Sequence, residues 1–209
     1  MSYISDPAEI EKKSFEIIAG ILRDKGFAGP EKDVVFRVVH ATADPDFADA
    51  MVFSKGAAEA GIEALRSGCK VVTDVYMLRA GIAGNMPGGP DNAMCYISDP
   101  DVAATAKENG ITRAASAMRK AAGLGLLDGG IVAIGNAPTA LYEVMRLMRE
   151  EGKRPALVVG VPVGFVGAAE SKDALLETVE APFITCRGRK GGSPVGAAII
   201  NAIVKLSKI

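Results

Sequence analysis

Ile131-Val132-Ala133-Ile134-Gly135, followed by Asn136-Ala137-Pro138-Thr139-Ala140-Leu141, is the stretch whose reading decides the fold. Its apolar residues run without alternation, which is the pattern of a short strand covered on both faces. Glycine and asparagine end the run, and Pro138 then opens a helix expected to reach Glu151. The same strand–turn–helix order recurs twice downstream. Ala156-Leu157-Val158-Val159-Gly160-Val161 leads through Pro162-Val163-Gly164-Phe165-Val166-Gly167 to a helix from Ala168. Phe183-Ile184-Thr185-Cys186 leads through Arg187-Gly188-Arg189-Lys190-Gly191-Gly192-Ser193-Pro194 to a helix ending near Ser207.

Upstream, Lys70-Val71-Val72-Thr73-Asp74 reads as the first strand and Ala93 to Ile97 as the second, with a short helix from Tyr76 to Ile82 between them. Asp99-Pro100 opens a helix toward Gly110, and Thr112 caps another running from Arg113 to about Leu127. Before the first strand come three helices: one opened by Asp6-Pro7 and closed at Gly26, one from Pro30, and one from Phe47 to Ser67. Strands alternating with helices predict an α/β chain, a three-layer α/β/α sandwich around a five-stranded parallel sheet. With no repeat and no low-complexity linker, residues 1–209 read as one domain.

One segment is ambiguous. In Phe36-Arg37-Val38-Val39-His40-Ala41-Thr42-Ala43-Asp44 and the valines before it, β-branched residues favour a strand. Pro30, with Glu31 and Asp33 in the first turn, favours a helix. On a helix Arg37 and His40 share a face at i,i+3; on a strand they point to opposite sides. The helix is the reading adopted. The segment carries the only histidine of the chain, and histidine is the side chain whose ordinary pKa suits acid or base work near neutrality.

Composition narrows the function. Hydrophobic residues make up 49% and charged residues 23% of 209 residues, a globular balance. A net charge of −1 supplies no basic field for nucleic acid. Cys69, Cys95 and Cys186 are far apart, without C-x-x-C or a histidine at ligand spacing, so packed, reduced thiols are expected and no metal site. The start, Met1 to Glu9, lacks a basic stretch followed by an apolar run, and no apolar run spans a bilayer, so a cytoplasmic location without membrane contact is expected.

In an open parallel sheet the carboxyl ends of the strands share one edge, and ligands bind there where strand order reverses. Thr73, Asp74, Gly135, Asn136, the Pro162–Gly167 loop and the Arg187–Ser193 loop are delivered to that edge. Glycine-rich turns and helix starts expose backbone N–H groups to anions, and Arg187, Arg189 and Lys190 add positive charge. The expected ligand is therefore an anionic small molecule. Gly188-Arg189-Lys190-Gly191-Gly192-Ser193 is not a P-loop, and Gly160 to Gly167 misses the dinucleotide fingerprint, so ATPase and dehydrogenase readings lose support.

Several motifs in order resemble the precorrin-8X methylmutase family of cobalamin biosynthesis, including its cobalt-precorrin-8 branch. They are Lys13-Ser14-Phe15, Arg37-Val38-Val39-His40-Ala41-Thr42, Thr73-Asp74-Val75, Gly135–Leu141, Pro162–Lys172 and Arg187–Ser193. The resemblance implies a flavodoxin-like sandwich and an isomerase that moves a methyl group from C-11 to C-12 of a corrinoid ring, giving hydrogenobyrinate or its cobalt counterpart cobyrinate. It implies homodimers with the substrate near the subunit interface; channelling to adjacent pathway enzymes is a further expectation. The family's catalytic histidine falls on His40 and its substrate-contacting serine on Ser14, while Arg37 and Arg113 match basic positions beside the substrate. Thr73, Asp74, Asn136, Arg187 and Lys190 complete the expected substrate contacts, with no cofactor. Two rival readings are a corrinoid-binding carrier without catalysis and a flavodoxin-like nucleotide- or flavin-binding module; few aromatics (5%) speak against the latter.

Overall fold

The structure is a computed structural model and describes residues 3–177 and 180–208. Six strands, β1 (Met51–Phe53), β2 (Val71–Thr73), β3 (Ala93–Met94), β4 (Ile131–Ile134), β5 (Leu157–Gly160) and β6 (Phe183–Cys186), form one sheet in the order β1-β6-β5-β4-β2-β3. β2 to β6 are parallel to their neighbours, whereas β1 runs antiparallel to β6, pairing Met51 with Cys186 and Phe53 with Ile184. The sheet is thus mixed and six-stranded, where a five-stranded parallel one was expected.

The ten α-helices of the described residues are α1 (Pro7–Ile21), α2 (Gly29–Thr42), α3 (Phe47–Ala50), α4 (Ala57–Arg66), α5 (Tyr76–Ala83), α6 (Pro100–Glu108), α7 (Arg113–Gly123), α8 (Pro138–Glu151), α9 (Ala168–Leu176) and α10 (Ser193–Ser207). They cover both faces. Buried residues of α1–α5 and α10 pack in one core, and those of α6–α9 in the other. The division follows from handedness. Right-handed crossovers put a helix on one face when the chain moves one way along the sheet and on the other when it turns back. The chain goes outward from β2 to β3 through α5, then back past β2 to β4, so α5 lies on one face and α6–α9 on the other. Strand order reverses between β2 and β4.

Three expectations needed correction. Phe47–Ser67 is two helices around β1, because Met51-Val52-Phe53 finds an edge to pair with and Gly56 turns the chain at φ +72°. Ser54 locks the turn: its N–H donates to the Phe183 carbonyl and its Oγ accepts from the Phe183 N–H at 2.8 Å. The second strand covers only Ala93–Met94, since Cys95 to Ile97 leave the sheet. α7 stops at Gly123, where Leu124 caps it and Gly125 takes φ +72°. The ambiguous segment is the helix α2, and Val34, Val35, Val38 and Val39 form its buried i,i+4 stripe.

Close packing fixes the edge where β4 ends. A Cβ on Gly135 would lie 2.9 Å from Ser193 Cα and 3.0 Å from its N, both backbone atoms. Gly135→Ala should therefore destabilise the protein by about 1–3 kcal/mol in urea unfolding. Gly123→Ala, a helical position with nothing within 4 Å of the added methyl, should be neutral or slightly stabilising.

Candidate active site

His40 lies in the last turn of α2 and stacks on Phe15 of α1, ring centroids 5.2 Å apart and planes 19° apart. Arg37, one turn earlier, places its guanidinium carbon 4.8 Å from the centroid of the same ring and ion-pairs with Glu11 at 2.7 Å. Glu11 and Phe15 are i,i+4 on α1, and Arg37 and His40 are i,i+3 on α2, so helical spacing puts each pair on one face and the packing of α1 on α2 brings the four residues together. The Arg37 guanidinium holds the Glu11 carboxyl below its ordinary pKa. His40 is half-buried, and its Nδ1 is buried without a hydrogen-bond partner among the described residues. A groove of about 430 Å³ adjoins the cluster, lined by Glu11, Phe15 and Arg37 and by Ala202 and Lys205 of α10.

At the strand-order reversal stands Asp74, fully buried directly after β2. Its Oδ1 accepts from the Gly135 N–H at 3.0 Å, and its Oδ2 accepts from Asn136 and Ala137 N–H at 2.7 Å each. Burial pushes the carboxyl pKa up, against the pull of these donors. Thr73 is equally buried and donates to the Met94 carbonyl at 3.0 Å, joining β2 to β3. These two residues lie beneath the edge and shape it from inside the fold.

The exposed candidates ring the same edge. Asn136 follows β4, and Arg113 begins α7, where Thr112 shares a 2.7 Å hydrogen bond with Thr139 at the start of α8. Arg187 and Lys190 belong to the turn after β6. Lys190 Nζ reaches Asp44 at 2.6 Å and Asp46 at 3.0 Å, just past the end of α2, and thereby ties the histidine's helix to the strand ends. The Lys190 ammonium holds the Asp44 carboxyl below its ordinary range. Ser14 is half-buried on α1, in helical register both with the exposed Ile10, Ile17 and Ile21 and with the buried Ile18.

Sequence reasoning missed Glu11, Phe15 as a stacking platform, and Lys172, which is buried in α9. The i,i+4 spacing of Glu11 and Phe15 carried a signal. Lys172 carried one too, since Ala168, Lys172 and Leu175 fall on one helical face. Among the described residues no three His, Cys, Asp or Glu side chains gather as a metal centre would need, and no helix is long and apolar enough to cross a membrane.

An α/β fold with a lone histidine on a helix tied to the carboxyl edge, and a rim of arginine, lysine and asparagine, defines a protein built for an anionic small molecule. Comparison with known proteins narrows this class. The sequence model of precorrin-8X methylmutases matches residues 9–206. The cobalt-precorrin-8 methylmutase of Methanocaldococcus jannaschii is 46% identical, with 97% of this chain and 95% of that protein covered. The precorrin-8X methylmutase of a Sinorhizobium species is 38% identical, covering 97% and 96%. The crystal structure of precorrin-8X methylmutase from Thermus thermophilus superposes with a TM-score of 0.87 at 40% identity, over 96% of both chains. The chain belongs to the precorrin-8X methylmutase family, and is an isomerase.

The Asp74 arrangement makes a direct prediction. Asp74→Ala leaves the buried Gly135 N–H and the part-buried Asn136 and Ala137 N–H groups without their acceptor; a buried group so left costs about 1–3 kcal/mol, so urea unfolding should show a loss of at least about 1 kcal/mol. Asp74→Asn keeps one carbonyl oxygen for Asn136 and Ala137 and should lose clearly less.

Proposed function

We propose that the chain catalyses the [1,5]-sigmatropic shift of a methyl group from C-11 to C-12 of precorrin-8X or cobalt-precorrin-8, giving hydrogenobyrinate or cobyrinate. The observation that carries this reading is His40 itself, held by Phe15 with one ring nitrogen buried. With Nδ1 enclosed, Nε2 is the ring nitrogen assigned to the substrate, where an N–H would donate a hydrogen bond. Donation to a ring nitrogen or carbon near C-11 withdraws electron density, eases cleavage of the C-11–methyl bond as the C-12–methyl bond forms, and favours the product tautomer. The methyl group and its electrons stay within one molecule, so the reaction needs no external oxidant or reductant.

Arg37, Arg113, Arg187 and Lys190 are suited to the acetate and propionate side chains of a corrinoid, with Asn136 as a neutral partner. Ser14 is assigned to substrate together with a second subunit: its stripe of Ile10, Ile17 and Ile21 is apolar surface that a homodimer partner would cover. Thr73 and Asp74 keep a supporting role. The five parallel strands, in the order β3-β2-β4-β5-β6, support the flavodoxin-like description, and residues 1–209 are read as one catalytic domain. The relative named for the cobalt-bearing substrate is more similar than the one named for precorrin-8X (46% against 38%), which favours the cobalt form. A cytoplasmic enzyme that hands its product to the next pathway enzyme fits this reading.

Replacing His40 by Ala or Asn should lower turnover by about 10²- to 10⁴-fold in an assay following the substrate-to-product colour change. Binding of the coloured product should persist. Near-parental turnover would remove His40 from the reaction, and a parent protein that binds product yet fails single-turnover conversion would make the chain a carrier.

A further inference from the structure

Among the described residues Lys172 is the largest side chain that is fully buried, at 1% exposure. It lies on the inner face of α9, where a methionine or leucine would fill the space without desolvating an amine. No carboxylate of the described residues pairs with it; instead its Nζ donates to the Lys190 carbonyl at 2.6 Å and lies 3.7 Å from Cys186 Sγ. The Cys186 thiol approaches the same carbonyl at 3.3 Å. Burial lowers the Lys172 pKa and raises that of Cys186. A buried amine in an apolar position costs stability, and here it grips one particular carbonyl.

That carbonyl belongs to a turn with little stiffness of its own. Gly188, Gly191 and Gly192 all have positive φ (75°, 154° and 117°), and a Cβ on Gly191 would lie 2.4 Å from the Val161 carbonyl oxygen. Only glycine fits there, and glycine leaves the turn many conformations. The other side of Lys190 leads to the histidine. Its ammonium reaches Asp44 and Asp46 and lies 5.9 Å from the Phe47 ring centroid, and the Arg187 N–H donates to the Ala50 carbonyl at 2.8 Å. The segment so held begins two residues after α2 ends. Between them sits Ala43 at φ +53°, the only non-glycine described residue in the left-handed region.

We propose that Lys172 is a positioning residue for the reaction: it fixes the Arg187–Lys190 turn by its carbonyl and, through Lys190 and Asp44, the end of the helix that carries His40. The proposal rests on the reading of His40 as the catalytic group. Lys172 touches neither substrate nor His40. Its effect is geometric, and a displacement near 1 Å at a reacting group is worth about 100-fold in rate.

The test uses the full chain and its corrinoid substrate. Lys172→Met should fold with a melting temperature close to that of the parent, because the thioether fills the buried stem's volume. Its kcat should fall about 10- to 100-fold, and KM should rise with it, because the same turn carries Arg187 and Lys190. Asp44→Asn, at the other end of the link, should lower kcat in the same direction. The double variant should be no slower than the slower single variant, because both break one chain of contacts. Parental kcat in folded Lys172→Met, or rate losses that add in the double variant, would overturn the link. Should Lys172→Met fail to fold, the surface variant Asp44→Asn/Asp46→Asn decides: a lowered kcat supports the link, and an unchanged kcat overturns it. A His40→Ala control separates the two failures. Retained turnover there overturns the role of His40 and this inference with it; lost turnover beside a parent-like Lys172→Met overturns the inference alone.

Discussion

The carboxylate of Asp74, accepting three backbone N–H groups from Gly135, Asn136 and Ala137, is the constraint on which the edge of this molecule depends. β2 and β4 are neighbours in the sheet although β3 and three α-helices come between them in the chain. Where strand order reverses, adjacent loops diverge to opposite faces and leave a crevice. Without a tie across that crevice, the Gly135 N–H would be unpaired in a buried place and those of Asn136 and Ala137, just before α8, in a part-buried one. A charged side chain at the end of β2 supplies three acceptor contacts at once. The cost of burying it is offset because each partner is a donor that also needed satisfaction.

The rest of the edge is held by charge and glycine together. The turn after β6 must pass close to the Val161 carbonyl, which admits no Cβ at residue 191, and the freedom this introduces is taken up by contacts at several points. Lys172 and Cys186 meet the Lys190 carbonyl, Asp44 and Asp46 meet its ammonium, and the Ala50 carbonyl meets the Arg187 N–H. Exposed ion pairs such as those of Lys190 add little to stability. What they supply is register between two segments far apart in sequence, the turn after β6 and the end of α2.

Much of this was legible beforehand, for identifiable reasons. β4, β5 and β6 are continuous apolar runs bounded by glycine or proline, and each is followed by a helix with a readable start, so their assignment needed only local information. α2 was legible once Pro30 and the acidic first turn outweighed the valines, and the i,i+4 spacing of those valines made the same helix amphipathic. The motif order located His40, Arg37 and the basic turn. β1 was illegible because Met51-Val52-Phe53 is too short to carry a period; only the free edge of β6 makes it a strand. Asp74 was legible as a polar group at a strand end, but its backbone partners were not, since local sequence cannot say which distant N–H groups a carboxylate will meet. Phe15 and Lys172 stood inside recognised motifs without an assigned task, because each acts on an element distant in the chain.

By itself, then, the sequence determined most of the elements, the parallel character of the sheet from β2 to β6, and the family to which the chain belongs. These follow from short-range spacing, turn chemistry and motif order. Tertiary structure alone decided the antiparallel edge strand, the burial of Thr73 and Asp74, the stacking of His40 on Phe15 with Nδ1 enclosed, and the clamp from Lys172 through Lys190 to Asp44. Each of these depends on which atoms of distant segments meet in a low-dielectric interior, where an unpaired polar group is costly and a paired one fixes geometry.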